Sequence, residues 1–430
     1  MSIFQPTHLH SLPGEDDITR VILPNGITLL VRNNPHSPSV VLSGYFPAGS
    51  LLDPREKLGL AHFTAAALMR GTQKRSFQQL YDELETAGAS LGFGASIHNV
   101  NFGGRALAED LPLLLDILSE CLIEPAFPND QVERLRAQFL TGLAIRAQDT
   151  AEMASLTFDE ILFAGHPYSL PEDGFPETIE HIARTDLAVF HDAHYRPQGM
   201  ALVIVGAVTP EQAIEQVEHS LGSWNSGQKT TAQVLPPVQP PTEVTRKHIF
   251  IPGKRQADLV MGSIGPQRNA ANYLAASIGN NILGQFGMMG RIGQSVRENA
   301  GLAYYASTSL NAWIDSGSWE VSAGVNPGNV QRAIDLILEE IKLFTSEPVS
   351  PTELRDSLSN YIGRLPLAFE SNSGVANALL NIERFQLGLN YYRKFPDQVR
   401  QVTAEQILET ARTYLEPSRF VIVSAGPERK

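Results

Sequence analysis

The sequence predicts an α+β protein of two homologous domains, each a mostly antiparallel sheet covered by helices. Three observations predict it. A stretch at 226–243, carrying Pro236, Pro237, Pro240 and Pro241, divides the 430 residues almost in half and has the composition of a stiff, extended linker. The same order of patterns occurs on either side of it. Within each half, short apolar runs of alternating type stand apart from longer runs of helical period, so strands flank groups of helices.

Residues 1–225 therefore form the first expected domain and 244–430 the second. Residues 81–122 and 294–341 each read as an acidic helix end, an Ala-Gly stop (Ala87-Gly88, Ala300-Gly301), two alternating strands and a long amphipathic helix. Residues 186–208 and 406–426 each read as a helix, a Pro-containing turn and a short apolar strand. Helical periods at 129–148 and 352–364 add helices over one face of each sheet.

Composition narrows the function classes. The hydrophobic share is 43% and the charged share 18%, ordinary for a folded globular chain, and no run is apolar enough for long enough to span a bilayer. Lys and Arg number 33 against 46 Asp and Glu, a net charge of −13, which is the wrong sign for binding nucleic acid through its phosphates. Cys121 is the single cysteine, in an apolar run, so it reads as a buried core thiol with no intrachain disulfide to make. Residues 1–10 have neither the basic start nor the apolar stretch of a secretory signal. The expectation is a cytoplasmic protein, or an exported one whose signal was removed.

The chemistry begins in the first half. Gly59-Leu60-Ala61-His62-Phe63, followed after six residues by Arg70-Gly71-Thr72, resembles the zinc-site helix of the pitrilysin/insulinase-like peptidases, the inverzincins, whose motif is H-x-x-E-H. In that motif two histidines on one helix face bind zinc and the glutamate between them activates the metal-bound water. Here His62 is present, but Ala65 stands at the base position and Ala66 at the second-ligand position. The resemblance places the third ligand, a glutamate about 77 positions further on, near Leu143, and residues 134–148 contain no carboxylate. A catalytic zinc needs about three protein ligands, so the resemblance implies no metal in this chain and no independent peptidase activity. His62 reads as a packed helix histidine. His191 and His194, spaced i, i+3, are a weak alternative metal pair, and the loop at His166-Pro167-Tyr168 reads as structural.

In the second half, Arg297-Glu298-Asn299-Ala300-Gly301-Leu302-Ala303-Tyr304 resembles the family's R-E-x-x-G-L-A-Y segment, with Arg297 and Tyr304 in its Arg/Tyr frame. In active relatives this pair faces the zinc, where a guanidinium and a phenol can donate hydrogen bonds to the substrate carbonyl and its oxyanion. Arg297 is expected in the last helical turn before Gly301, with Tyr304 opening the next strand and Tyr305 facing the opposite way. The plainer reading is that Arg297 caps the helix and Tyr304 packs on the core. Glu298 reads as a salt-bridge partner.

The resemblance runs over nearly the whole chain, from Leu23-Pro24-Asn25-Gly26 onward, and implies halves of processing-peptidase-like, LuxS-metalloenzyme-like fold. It implies the zinc-less subunit of a heterodimeric metalloendopeptidase acting on unfolded peptides. The cofactor would be zinc in a homologous partner subunit, and Arg297 and Tyr304 would be this chain's contribution. Two alternatives stay open, a non-catalytic scaffold and a peptide-binding homodimer of the same fold.

Overall fold

The computed structural model describes residues 12–224, 235–285 and 290–428. Residues 1–10, on which the signal reading rests, and 226–234 of the Pro-rich stretch lie outside them. The chain divides into two compact units, one from described residues within 1–143, 171–233 and 365–394, the other from those within 144–170, 234–364 and 395–430.

The first unit holds strands β1 (Thr19–Ile22), β2 (Thr28–Asn33), β3 (Ser39–Phe46), β4 (Ser90–Ala95), β5 (Val100–Leu107) and β6 (Ala201–Gly206), in the order β1-β2-β6-β3-β5-β4. Neighbours run antiparallel except β2 and β6. The β1–β2 turn is the Leu23-Pro24-Asn25-Gly26 segment. Gly26 has φ +92°, a conformation that favours glycine in a tight turn, and the Asn25 side chain donates to the Leu221 carbonyl at 2.8 Å.

The second unit holds β7 (Thr245–Phe250), β8 (Ala257–Gly265), β9 (Ala303–Ala312), β10 (Gly317–Val325) and β11 (Val421–Gly426), in the order β7-β11-β8-β10-β9. With β1 set aside, this order matches that of the first sheet strand for strand. It includes the one parallel pair, β7 with β11 in place of β2 with β6. The repeat seen in the sequence is thus a repeat of topology.

Helices cover both faces of each sheet, which corrects the expectation of one face. The cause lies in the strands. In β2, β3 and β6, Leu29, Val31, Val40, Leu42, Leu202 and Ile204 face a core shared with α1 (Leu60–Ala67), α3 (Leu111–Ile123) and α4 (Asn129–Arg146). The alternate residues Leu30, Val41, Val203 and Val205 are also apolar, and they pack against Val375, Ala376, Leu379 and Ile382 of helix Asn372–Arg384. A strand apolar on both sides is stable only when both sides are covered.

In the second unit α5 (Thr150–Leu162) packs on β8 and β11 through Ala154, Phe158 and Leu162. Leu259, Met261 and Ile422, on the other face, join the core of helix Val330–Ser346. The strands follow the division at the linker, and these two helices do not: residues 144–170 count with the second sheet and 365–394 with the first.

Leu379 is fully buried in the cluster on the first sheet. Leu379→Ala is expected to cost about 3 kcal/mol, read as faster amide exchange in β3 and β6. Unchanged protection there would contradict the assignment of this helix to the first sheet.

Candidate functional site

The zinc-motif helix α1 is built by the backbone before it. Gly59 precedes it at φ +93°, and a Cβ there would stand 2.9 Å from the Asp173 carbonyl oxygen. The Asp53 carboxylate accepts hydrogen bonds from the Gly59 and Ala61 N–H groups, both at 2.8 Å, meeting donors that a helix start leaves free. Asp53 is itself partly buried, and its desolvation outweighs these donors, so its carboxyl is pushed up to about 7.

The motif positions on α1 face packing partners. His62 is half-buried with its ring 4.9 Å from Phe139 of α4. Burial lowers its pKa, against a smaller upward pull from Asp173. Ala65 is fully buried and Ala66 partly so. Leu143 lies four residues beyond Phe139 on α4, hence on the same face, and is buried in the same apolar cluster as Ala65. Phe139 also packs edge-on to Phe63 at 5.1 Å. A zinc site would need three donors converging here, and what converges is one imidazole with alanine, phenylalanine and leucine. These residues do not fit the metal. Among the described residues no group of three or more His, Cys, Asp or Glu could hold a metal ion.

His191, His194 and His166 are held by separate packing and hydrogen-bond contacts. His191 Nε2 sits 2.8 Å from the Leu122 carbonyl at the end of α3, and the His194 ring packs on Phe190 at 4.7 Å. The pair flagged by its spacing is thus held by separate neighbours. His166 accepts the Tyr168 N–H at Nδ1, 3.1 Å away. Cys121 is fully buried, 3.7 Å from the Met69 sulfur, and burial pushes its thiol up to about 12.

Arg297 lies in the π-type helix Gly293–Asn299. The helix ends where Gly301, at φ +65°, donates its N–H to the Arg297 carbonyl at 3.0 Å, a left-handed stop that favours glycine. The Arg297 side chain is 41% exposed and its Nε stands 3.7 Å from a Glu298 carboxylate oxygen, the contact expected of Glu298. Two residues after the stop the chain enters β9.

The register of β9 on β10 pairs Tyr305 with Gly324 and then Ala303 with Val325, leaving Tyr304 without a partner. This is a β-bulge, a device that re-aims a side chain. Tyr304 is 74% exposed. Tyr305 donates its hydroxyl to Asp258 at 2.7 Å. Arg297 and Tyr304 thus come from a helix and a strand that pack against one another. Both present polar donors to solvent, and neither is buried in the core.

Sequence reasoning passed over Asp53 and Asp258. Asp53 stands six residues before the glycine that opens α1, too far for a helix-cap pattern. Asp258 is a lone acid in the apolar strand Ala257–Gly265, a signal visible in the sequence but uninterpretable without its neighbours.

Two family models match the chain, one described as Insulinase (Peptidase family M16) over residues 28–163, the other as Peptidase M16 inactive domain over 181–361. An uncharacterised zinc protease of Mycobacterium leprae is 25% identical over 417 residues, spanning 95% of this chain and 92% of that protein. The mitochondrial-processing peptidase subunit beta of Saccharomyces cerevisiae is 25% identical over 425 residues, 94% and 90% of the two chains. The solved structure of a peptidase M16 inactive domain from Pseudomonas fluorescens superposes with a TM-score of 0.89 at 25% identity, covering 96% of this chain and 98% of that one. A protease from Helicobacter pylori shares the fold at a TM-score of 0.90 and 16% identity, over 97% and 100% of the chains.

Removing the α1 cap tests the local architecture. Asp53→Ala is expected to cost about 1 to 2 kcal/mol, measured by chemical unfolding. Because the folded carboxyl titrates near 7, well above its unfolded value, the native state holds the extra proton between those pH values. Asp53's contribution is therefore largest in acid and declines as pH rises towards about 7. The stability gap between wild type and Asp53→Asn should narrow over that range, and a gap that widens would contradict the burial argument.

Proposed function

The chain belongs to the insulinase-like peptidase family, and from that premise we propose that it is the zinc-less subunit of a two-chain metallopeptidase that cleaves unfolded peptides. The observation that carries this reading is an asymmetry between the halves. On α1 and α4 the ligand positions are alanine and leucine seated in an apolar cluster. On β9 and the helix before it, Arg297 and Tyr304 keep their frame and stay accessible.

A zinc-bearing homologue would supply the metal and its activated water. This chain's part is to bind and orient. The Arg297 guanidinium and the Tyr304 hydroxyl would donate to the carbonyl oxygen of the scissile peptide, more strongly as charge develops on it. No helix among the described residues is long and apolar enough to cross a membrane, in keeping with a subunit that meets its substrate in water.

The test is to mix the chain with a zinc-motif homologue from its own organism and record native mass, zinc content and turnover of a fluorogenic peptide. The expected outcome is a zinc-free, inactive chain alone and an active complex with zinc in the partner. In that complex Arg297→Ala and Tyr304→Phe should each lower turnover tenfold or more, about 1.4 kcal/mol of transition-state stabilisation. If neither does so, the catalytic role is wrong. A zinc-free homodimer that ignores the homologue and binds peptides would replace this reading with a peptide-binding one.

A further inference from the structure

Strict alternation along β9 would put Tyr304 on the same side as Ala306, which lies in the core of the second unit with Ala323. The bulge prevents that, and a bulge needs something to hold it, since it forgoes regular pairing. The neighbouring residue supplies the hold. The Tyr305 ring crosses β10 over Gly324, where a Cβ would stand 2.5 Å from Tyr305 Cε1 and 3.0 Å from Asp258 Oδ1. Only a bare glycine leaves room for the ring to reach β8.

At the far end the hydroxyl meets Asp258, which is 3% exposed. Oδ1 accepts from Tyr305 at 2.7 Å and from the Gln256 amide at 2.8 Å, and Oδ2 accepts from the hydroxyl of Thr150, the first residue of α5. A buried carboxylate persists when donors satisfy it, and here three do. Burial and the adjacent carboxylate raise the Tyr305 phenol above its ordinary pKa, so it remains a donor at neutral pH.

We propose that Tyr305 and Asp258 are a positioning pair, whose hydrogen bond anchors the start of β9 and holds the bulge that turns Tyr304 outward. Neither residue touches substrate. Both act through Tyr304, and their effect on turnover rests on the function proposed above. Through Thr150 the same carboxylate ties the start of α5 to the tyrosine strand.

The test places a fluorinated tyrosine at position 304 of the full chain, in wild-type, Tyr305→Phe and Asp258→Asn backgrounds, alone and with the zinc-bearing homologue. Phenylalanine keeps the ring at 305, so a change in the fluorine resonance reports the position of residue 304. The expected result is a shifted or broadened resonance in both variants. In the complex, kcat should fall about tenfold with KM within about twofold, and a melting transition of unchanged amplitude shows that this is not a loss of folded protein, which would lower apparent kcat in the same way. An unchanged resonance overturns the proposal whatever the activity. A moved resonance with unaltered turnover, in a complex that Tyr304→Phe does slow, overturns it too. If Tyr304→Phe itself leaves turnover unaltered, it is the catalytic reading that has failed, and the fluorine result alone decides the anchoring. Should Asp258→Asn not fold, Tyr305→Phe carries the test.

Discussion

The central strands of each sheet are apolar on both faces, and burying both is the constraint from which the rest of the structure follows. In β3 and β6 successive residues belong alternately to two separate apolar clusters, one beneath α1, α3 and α4 and one beneath helix Asn372–Arg384. The second sheet repeats the arrangement, with Leu259 and Met261 facing one helix layer and Val260 buried on the side where α5 packs. Burial of branched aliphatic side chains contributes roughly 1.5 to 3 kcal/mol each, so leaving either face bare would forfeit a large part of a domain's net stability. Each unit therefore draws its second covering helix from the half of the chain that does not supply its strands.

The same constraint gives α1 a packing role that needs no metal. α1 contributes Leu60, Ala61, Phe63, Ala65 and Ala67 to the core of the first unit, and its start is fixed by Gly59 and the Asp53 carboxylate. Ala65 and Leu143 are buried in one apolar cluster, with Ala66 and Phe139 partly buried against it, and α1 meets α4 in the contacts of His62 and Phe63 with Phe139. His62 remains as one more aromatic contact at that interface.

The second unit differs in what it leaves outside. A glycine stop at Gly301 reverses the chain, and a bulge then sets Tyr304 against the direction that alternation would give it. These are local departures from regular structure, and they occur where the residues of chemical interest stand. Regular pairing resumes at Tyr305, whose part-buried bond to Asp258 crosses β10. That bond fixes the strand immediately beside the exposed residue.

The sequence by itself determined the two homologous halves, the mainly antiparallel sheets, the presence of alanine and leucine at positions 65, 66 and 143, and the helix stop before Tyr304. Each of these is written in short-range patterns: period, turn residues, motif spacing. Helix Asn372–Arg384 and α5 could not be assigned to their sheets in this way. Their amphipathic periods say that an apolar face must be covered and not which strand will cover it, since both sheets offer one. Nor could spacing locate Asp53 at the start of α1, because its partners lie across a turn. The exposure of Tyr304 was also decided only by the tertiary structure. Alternation would have turned it inward, and a ring laid across Gly324 to a carboxylate 47 residues away in the chain turned it out. Contacts at that separation carry no local signature.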